Sequence, residues 1–207
     1  MNTTRKLKNA KKVLNVGGND KLIPIPPCFD GWQHDILDID PSVSPDILCD
    51  ARELWKLPPR QYDAIYCSHN LEHYYFHEVP NVLKGFKLLL KRDGFVYIVV
   101  PNIINTVKKL IDENMDLDDT LYVSPAGPIA AIDVIFGLRK QIQESGDDYF
   151  AHKCGFSETL LKKLLITHGF KCIISVVDDL NITAYGFYDE PSNKMLESLD
   201  LNEAGMS

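Results

Sequence analysis

Two groups of side chains in this sequence have the types and spacing to do chemistry. Gly17-Gly18 halts the apolar run Val13, Leu14, Val16, and Asp38 and Asp40 close a second run from His34 to Ile39. Glycine admits positive φ and carries no Cβ, so a ligand can approach the main chain there, while an acid at the next strand's end can accept hydrogen bonds from both ribose hydroxyls. Together they would form one face of a nucleotide pocket; the same residues also suit an ordinary turn and strand end. The second group is His69, His73 and His77, at i, i+4 and i+8 with Glu72 between them. On a continuous helix this spacing would align three imidazoles as a metal site does. His69 directly follows an apolar strand, however, so the run is expected to cross a turn, and no metal is expected.

Those residues need a scaffold, and the patterning describes one. Pro45–Cys49 reads as a short third strand broken at Asp50-Ala51, and Tyr62–Cys67 as a fourth that closes at Ser68. Strands ending in polar residues one after another would line the rim where open parallel sheets bind ligands. Val79, Val82, Leu83, Phe86, Leu89 and Leu90 repeat at helical spacing, Pro80 fits a first turn, and Lys91, Arg92 and Gly94 suit a helix end. Phe95–Val100 reads as a central strand covered on both faces. Alternating strands and helices predict a doubly wound α/β sheet.

Beyond Asn102, a helix is expected over Ile103–Asn114, then the acidic loop MDLDDT, then a loop entering one amphipathic helix in SPAGPIAAIDVIFGLRKQIQESGDD. This helical insertion, about 103–153, would lie over the rim as a lid. Ser157 caps the next helix, which carries Leu160, Leu161, Leu164 and Leu165 and ends at Gly169. Phe170–Val177 and Ile182–Tyr188 read as a last strand pair. One domain over 1–188 is expected, followed by a polar tail, 189–207, read as mobile with one short helix near Leu196.

Composition narrows the function classes. The chain has 207 residues, 45% hydrophobic and 25% charged, enough for one domain with a substantial core. Its net charge of -7 opposes attraction to phosphate backbones, so no nucleic-acid partner is expected. The basic cluster Arg5, Lys6, Lys8, Lys11 and Lys12 reads as a solvated first helix or arm. No apolar run reaches the roughly 18 residues of a membrane span, and no secretory signal is evident, so a cytoplasmic protein without membrane contact is expected. Cys28, Cys49, Cys67, Cys154 and Cys172 are scattered, with no C-x-x-C pair, and read as reduced.

VLNVGGND, ILDIDP, ILCDARELWKLP, YDAIYCSHNLEHY, LLLKRDGFVYIVVPN and AHKCGFSETLLKKLLITHGF, in that order, resemble the signature segments of class I S-adenosylmethionine-dependent methyltransferases, in particular the small bacterial type 11 group. The resemblance covers roughly Lys12 to Tyr188. It implies a Rossmann-like, mostly parallel sheet with an antiparallel last strand, and S-adenosyl-L-methionine as cofactor. It places Gly17 and Gly18 beneath the methionine part, Asp38 at the ribose, Asp50 at the adenine amino group, the Ala51 backbone N–H at a ring nitrogen, and Ser68 and His69 beside the sulfonium. Typical members carry an acid where Asn15 stands, a glycine where Asn19 stands, and a helix after that loop, which Pro24, Pro26 and Pro27 forbid here.

The implied reaction is methyl transfer to an oxygen or nitrogen of a small-molecule or sugar-type acceptor. His69, His73 and His152 are the candidate general bases. Two alternatives stay open. The altered glycine loop fits a methyltransferase-like binding subunit without turnover. A nicotinamide-dependent oxidoreductase would share the sheet and ribose carboxylate but calls for G-x-G-x-x-G running into a helix, which GGNDKLIPIPP does not supply.

Overall fold

A computed structural model describes residues 10–201. Strands β1 (Lys12–Val16), β2 (Gln33–Asp38), β3 (Ile47–Leu48), β4 (Tyr62–Ser68) and β5 (Leu90–Pro101) are parallel to one another. They join β8 (Cys172–Val177) and β9 (Asn181–Phe187) in a seven-stranded sheet of order β3-β2-β1-β4-β5-β9-β8. β9 runs antiparallel between β5 and β8. This is the expected doubly wound, mostly parallel sheet with an antiparallel last strand. Val13, Leu14, Ala64, Ile65, Val96 and Ile98 are wholly buried, as central strands covered on both faces require.

The two faces are covered differently. On one, helices α1 (Val79–Leu89) and α5 (Glu158–Thr167) and the 3-10 segment Ala51–Lys56 pack Leu54, Val82, Leu83, Phe86, Leu161 and Leu165 onto the sheet. On the other, among the described residues, the cover is the proline loop and the C-terminal segment. Pro27 starts a 3-10 turn that lowers Phe29 onto Phe95, Tyr66 and Tyr97, with ring centroids 5.9 to 6.2 Å apart. An aromatic plug thus replaces the helix that the prolines forbid.

The C-terminal segment corrects one expectation. The tail over 189–207 is expected to be mobile, yet in its described part Ser192 caps a helix, α6 (Asn193–Ser198), and Leu199 and Leu201 bury themselves beside Phe29, Phe95 and Phe187. The short helix near Leu196 is present. Residues 202–207, and Arg5, Lys6 and Lys8 of the basic cluster, lie outside the described residues.

Two boundaries also differ. α1 stops at Leu89, because Leu90 is fully buried as the first residue of β5 opposite Tyr62, and Lys91 bonds Asp63 at 2.8 Å instead of closing the helix. The insertion is α2 (Ile103–Asp112), a hairpin of β6 (Thr120–Ser124) and β7 (Gly127–Ala130), then α3 (Ala131–Phe136) and α4 (Arg139–Ser145). The single expected helix breaks at Gly137, whose φ is +97° and whose missing Cβ is replaced by the Phe150 carbonyl. Among the described residues, no helix is long and apolar enough to cross a membrane.

Because Leu199 and Leu201 complete a buried cluster, Leu199→Ala and Leu201→Ala should each destabilise the fold by about 2 kcal/mol. Chemical denaturation with an unchanged m-value checks this; two variants indistinguishable from wild type would show that the segment adds nothing to the core.

Candidate functional site

The parallel register of β1 with both β2 and β4 sets Val16, Asp38 and Ser68 on one rim. The chain winds outward from β1 in both directions, so the crevice at this rim is the switch point of the sheet. A cavity of about 560 Å³ opens there, walled by Gly17, Asp38, Asp50, Ala51, His69 and His73, and by His152 from the end of the insertion.

Three rim residues take left-handed backbone. Gly17, at φ +71°, turns the chain out of β1, and a Cβ there would overlap the Asn70 side chain. Asn19, at φ +55°, adopts the conformation that a glycine would, which asparagine tolerates better than most residues. Its N–H donates to Asp38 Oδ2 at 3.3 Å, and the Asp40 N–H donates to Oδ1 at 3.0 Å, so the loop aims the Asp38 carboxylate at the cavity. Asp40 caps the following turn through the Ser42 N–H at 2.7 Å, and its hydrogen bonds to Ser42 hold its carboxyl below the usual range. Gly18 packs over the Asn15 amide, and Ser68 shares a strand face with Tyr66. Neither is on the cavity wall.

Asp50 is already engaged. It caps the Ala51–Lys56 segment through the Arg52 N–H at 2.8 Å and accepts Arg52 Nε at 2.9 Å and Nη2 at 2.6 Å, while Nη1 reaches Glu78 at 2.7 Å. Burial works against charging Asp50, but the Arg52 hydrogen bonds outweigh it and hold the carboxyl below its usual range. Arg52 and Glu78 belong to the cavity wall, and neither DARELW nor FHEVP marks them in sequence.

The histidines come together in a way that the spacing does not anticipate. His69, at φ +48°, bends the chain out of β4 into the 3-10 turn Leu71–His73, so no continuous helix aligns His69, His73 and His77. His77 instead stacks on Tyr75, with centroids 5.8 Å apart. His152 takes its place, its ring meeting His73 edge-on at 4.9 Å. The junction is fixed by main chain, since the Lys153 and Cys154 N–H groups donate to the Glu72 carbonyl at 2.8 and 3.2 Å. Desolvation opposes charging of His69, but Glu72 Oε1, 3.5 Å from its Nδ1, prevails and raises its pKa. For His152, desolvation dominates and lowers the pKa.

His69 and His152 also wall a second cavity of about 210 Å³, lined further by Pro101, Tyr122, Ile129 and Leu138. The insertion thus forms one side of both cavities.

No family model matches the sequence, and no curated protein matches it. Solved structures do match in fold. The CMeT domain of the citrinin polyketide synthase is 14% identical, with a TM-score of 0.52, over 88% of this chain and 47% of that one. A SAM-dependent methyltransferase from Archaeoglobus fulgidus is 15% identical, with a TM-score of 0.51, over 88% of each chain. The fold is that of a Rossmann-like methyltransferase. A third match is the 1,6-didemethyltoxoflavin-N1-methyltransferase of Burkholderia thailandensis, solved with 1,6-didemethyltoxoflavin and S-adenosylhomocysteine bound. It is 16% identical, with a TM-score of 0.50, over 88% of this chain and 72% of that one.

The wall of the second cavity depends on Asp133, which is 7% exposed, accepts the Ala130 N–H at 3.0 Å and pairs with Arg139 Nε at 2.7 Å. Burial raises its pKa, yet the Arg139 and backbone hydrogen bonds win and depress it. A depressed folded pKa gives stability that is present above the unfolded value of about 3.9 and is lost as pH falls through the folded one. Asp133→Asn should cost about 1 to 2 kcal/mol near neutral pH, and the gap to wild type should close under acid. Melting curves across pH check this; a gap that widens under acid would contradict the assignment.

Proposed function

We propose that this chain is an S-adenosylmethionine-dependent methyltransferase acting on an oxygen or nitrogen of a small-molecule or sugar-type acceptor. The observation that carries the reading is the Gly17 turn beside the Asp38 carboxylate at the mouth of a 560 Å³ cavity, at the switch point of a methyltransferase-type sheet. Gly17 would accept the methionine part against bare main chain, Asp38 the two ribose hydroxyls, and Asp50 with the Ala51 N–H the adenine edge. Arg52 would share Asp50 with that edge, or release it.

The bound sulfonium supplies an activated methyl group. What the chain adds is alignment of donor and acceptor and exclusion of water. The acceptor would enter the second cavity, whose Tyr122, Ile129 and Leu138 come from the insertion. His69, on the wall of both cavities, would take the proton that an alcohol acceptor loses. The binding-subunit alternative rests on the altered glycine loop, within which Asn19 adopts the conformation that a glycine would supply.

Asp38→Ala should weaken S-adenosylhomocysteine binding by about 10- to 100-fold without unfolding the protein, the scale of hydrogen bonds to a charged group. Asp40→Ala should change it little, because that carboxylate serves the Ser42 turn. Calorimetric titration decides, and unchanged affinity in Asp38→Ala would remove the ribose role. Tyr122→Ala should leave the same affinity intact while abolishing methylation of the acceptor found in a metabolite screen. Loss of cofactor binding in a folded Tyr122→Ala protein would instead assign the second cavity to the cofactor.

A further inference from the structure

Glu72 is 1% exposed, and neither of its carboxylate oxygens has a hydrogen-bond partner among the described residues. A carboxylate taken out of water in this way needs a cation against it. His69 Nδ1 approaches at ion-pair distance, 3.5 Å, and two further imidazoles converge on the same point. One carboxylate oxygen of Glu72 and one ring nitrogen each of His73 and His152 all lie within 4.8 Å of one another.

Both rings are oriented by main chain. His152 holds the Val134 carbonyl through Nδ1 at 2.9 Å, and His73 holds the Ala151 carbonyl through Nδ1 at 3.1 Å. For His152, giving Nδ1–H to a backbone oxygen leaves Nε2 as a lone-pair donor, the arrangement in which metal-binding histidines are held. In His73 the other ring nitrogen, Nε2, also faces a main-chain oxygen, the His69 carbonyl at 3.2 Å, so a metal there would take the place of that contact. The ligand-bearing segments cannot drift apart, because Lys153 and Cys154 are bonded to the Glu72 carbonyl.

The geometry points to a divalent transition-metal site built by Glu72, His73 and His152, with an open coordination position at the junction of the two cavities. It departs from the sequence expectation that no metal is bound, and from the His69, His73, His77 spacing that would have carried one. A tetrahedral ion with bonds of about 2.1 Å holds its ligands about 3.4 Å apart, so side-chain rotation of about 1 Å closes the set. Two imidazoles and one carboxylate suit zinc, cobalt, nickel or ferrous iron, whereas magnesium and calcium want oxygen ligands. His152 also walls the second cavity, which puts the open position within reach of a small oxygen or nitrogen ligand bound there.

The inference does not rest on the methyltransferase reading, and its test uses no cofactor. Chelator-treated full-length protein is titrated with Co²⁺ and followed by visible absorption, with Zn²⁺ then added in competition. One equivalent should bind, with the ligand-field bands of a nitrogen and oxygen site. Affinity should fall by about 100-fold or more in Glu72→Gln and in His152→Ala, and stay unchanged in His77→Ala. Circular dichroism confirms the fold of each variant; should Glu72→Gln not fold, His152→Ala carries the comparison. Three results would overturn the site: no saturable binding, as a bare His69–Glu72 ion pair predicts; equal binding by the variants; or an intense thiolate charge-transfer band, which would place the ion on cysteine. S-Adenosylhomocysteine titration of the same metal-free protein tests the cofactor reading separately.

Discussion

Parallel pairing of β1 with β2 on one side and β4 on the other is the constraint from which the site follows. It forces the strands to end at the same level, and the chain must leave all of them at one rim. The inner strands are mostly apolar because both faces are covered, so polar side chains gather mainly where the strands stop. Asp38, Asp50 and His69 are such residues, and the register gathers them around one opening.

Turning sharply at that rim costs backbone freedom, and the sequence meets the requirement with three different residues. Gly17 has no Cβ to place against Asn70, Asn19 occupies the left-handed region with a side chain that tolerates it, and His69 does so with an imidazole that reaches Glu72. The bend at His69 exchanges a regular helix for a 3-10 turn, and that turn presents Glu72 inward. A helix would have displayed the histidine series; the turn displays one carboxylate and lets a distant imidazole complete the group.

The sheet was legible in the sequence because its signal is local. Val13–Val16, Tyr62–Cys67 and Phe95–Val100 are apolar runs with polar ends, and β1, β4 and β5 lie on them. Ser157 and Gly169 mark the ends of α5 as capping chemistry predicts, with Ser157 Oγ accepting the Leu160 N–H. What escaped was long-range. His152 could be named as a candidate, but its meeting with Glu72 depends on main-chain bonds from the far end of the insertion. Arg52 owes its place to Glu78, the residue just before α1. The hairpin was hidden by Gly127 and Pro128, which read as loop, and the burial of Leu199 and Leu201 by the polar residues around them.

The position of β9 bears on how the protein reaches this state. It lies between β5 and β8, pairing Val99 with Thr183, so the sheet is not closed in sequence order. Until that pairing forms, β5 is an open edge of a strongly apolar strand, free to recruit other chains. Pairing between such distant residues pays its loop-closure entropy before any contact rewards it, which slows the final step relative to helix formation. The folding bottleneck and the aggregation hazard thus fall on the same strand, β5, which continues into Asn102 and the insertion that walls both cavities.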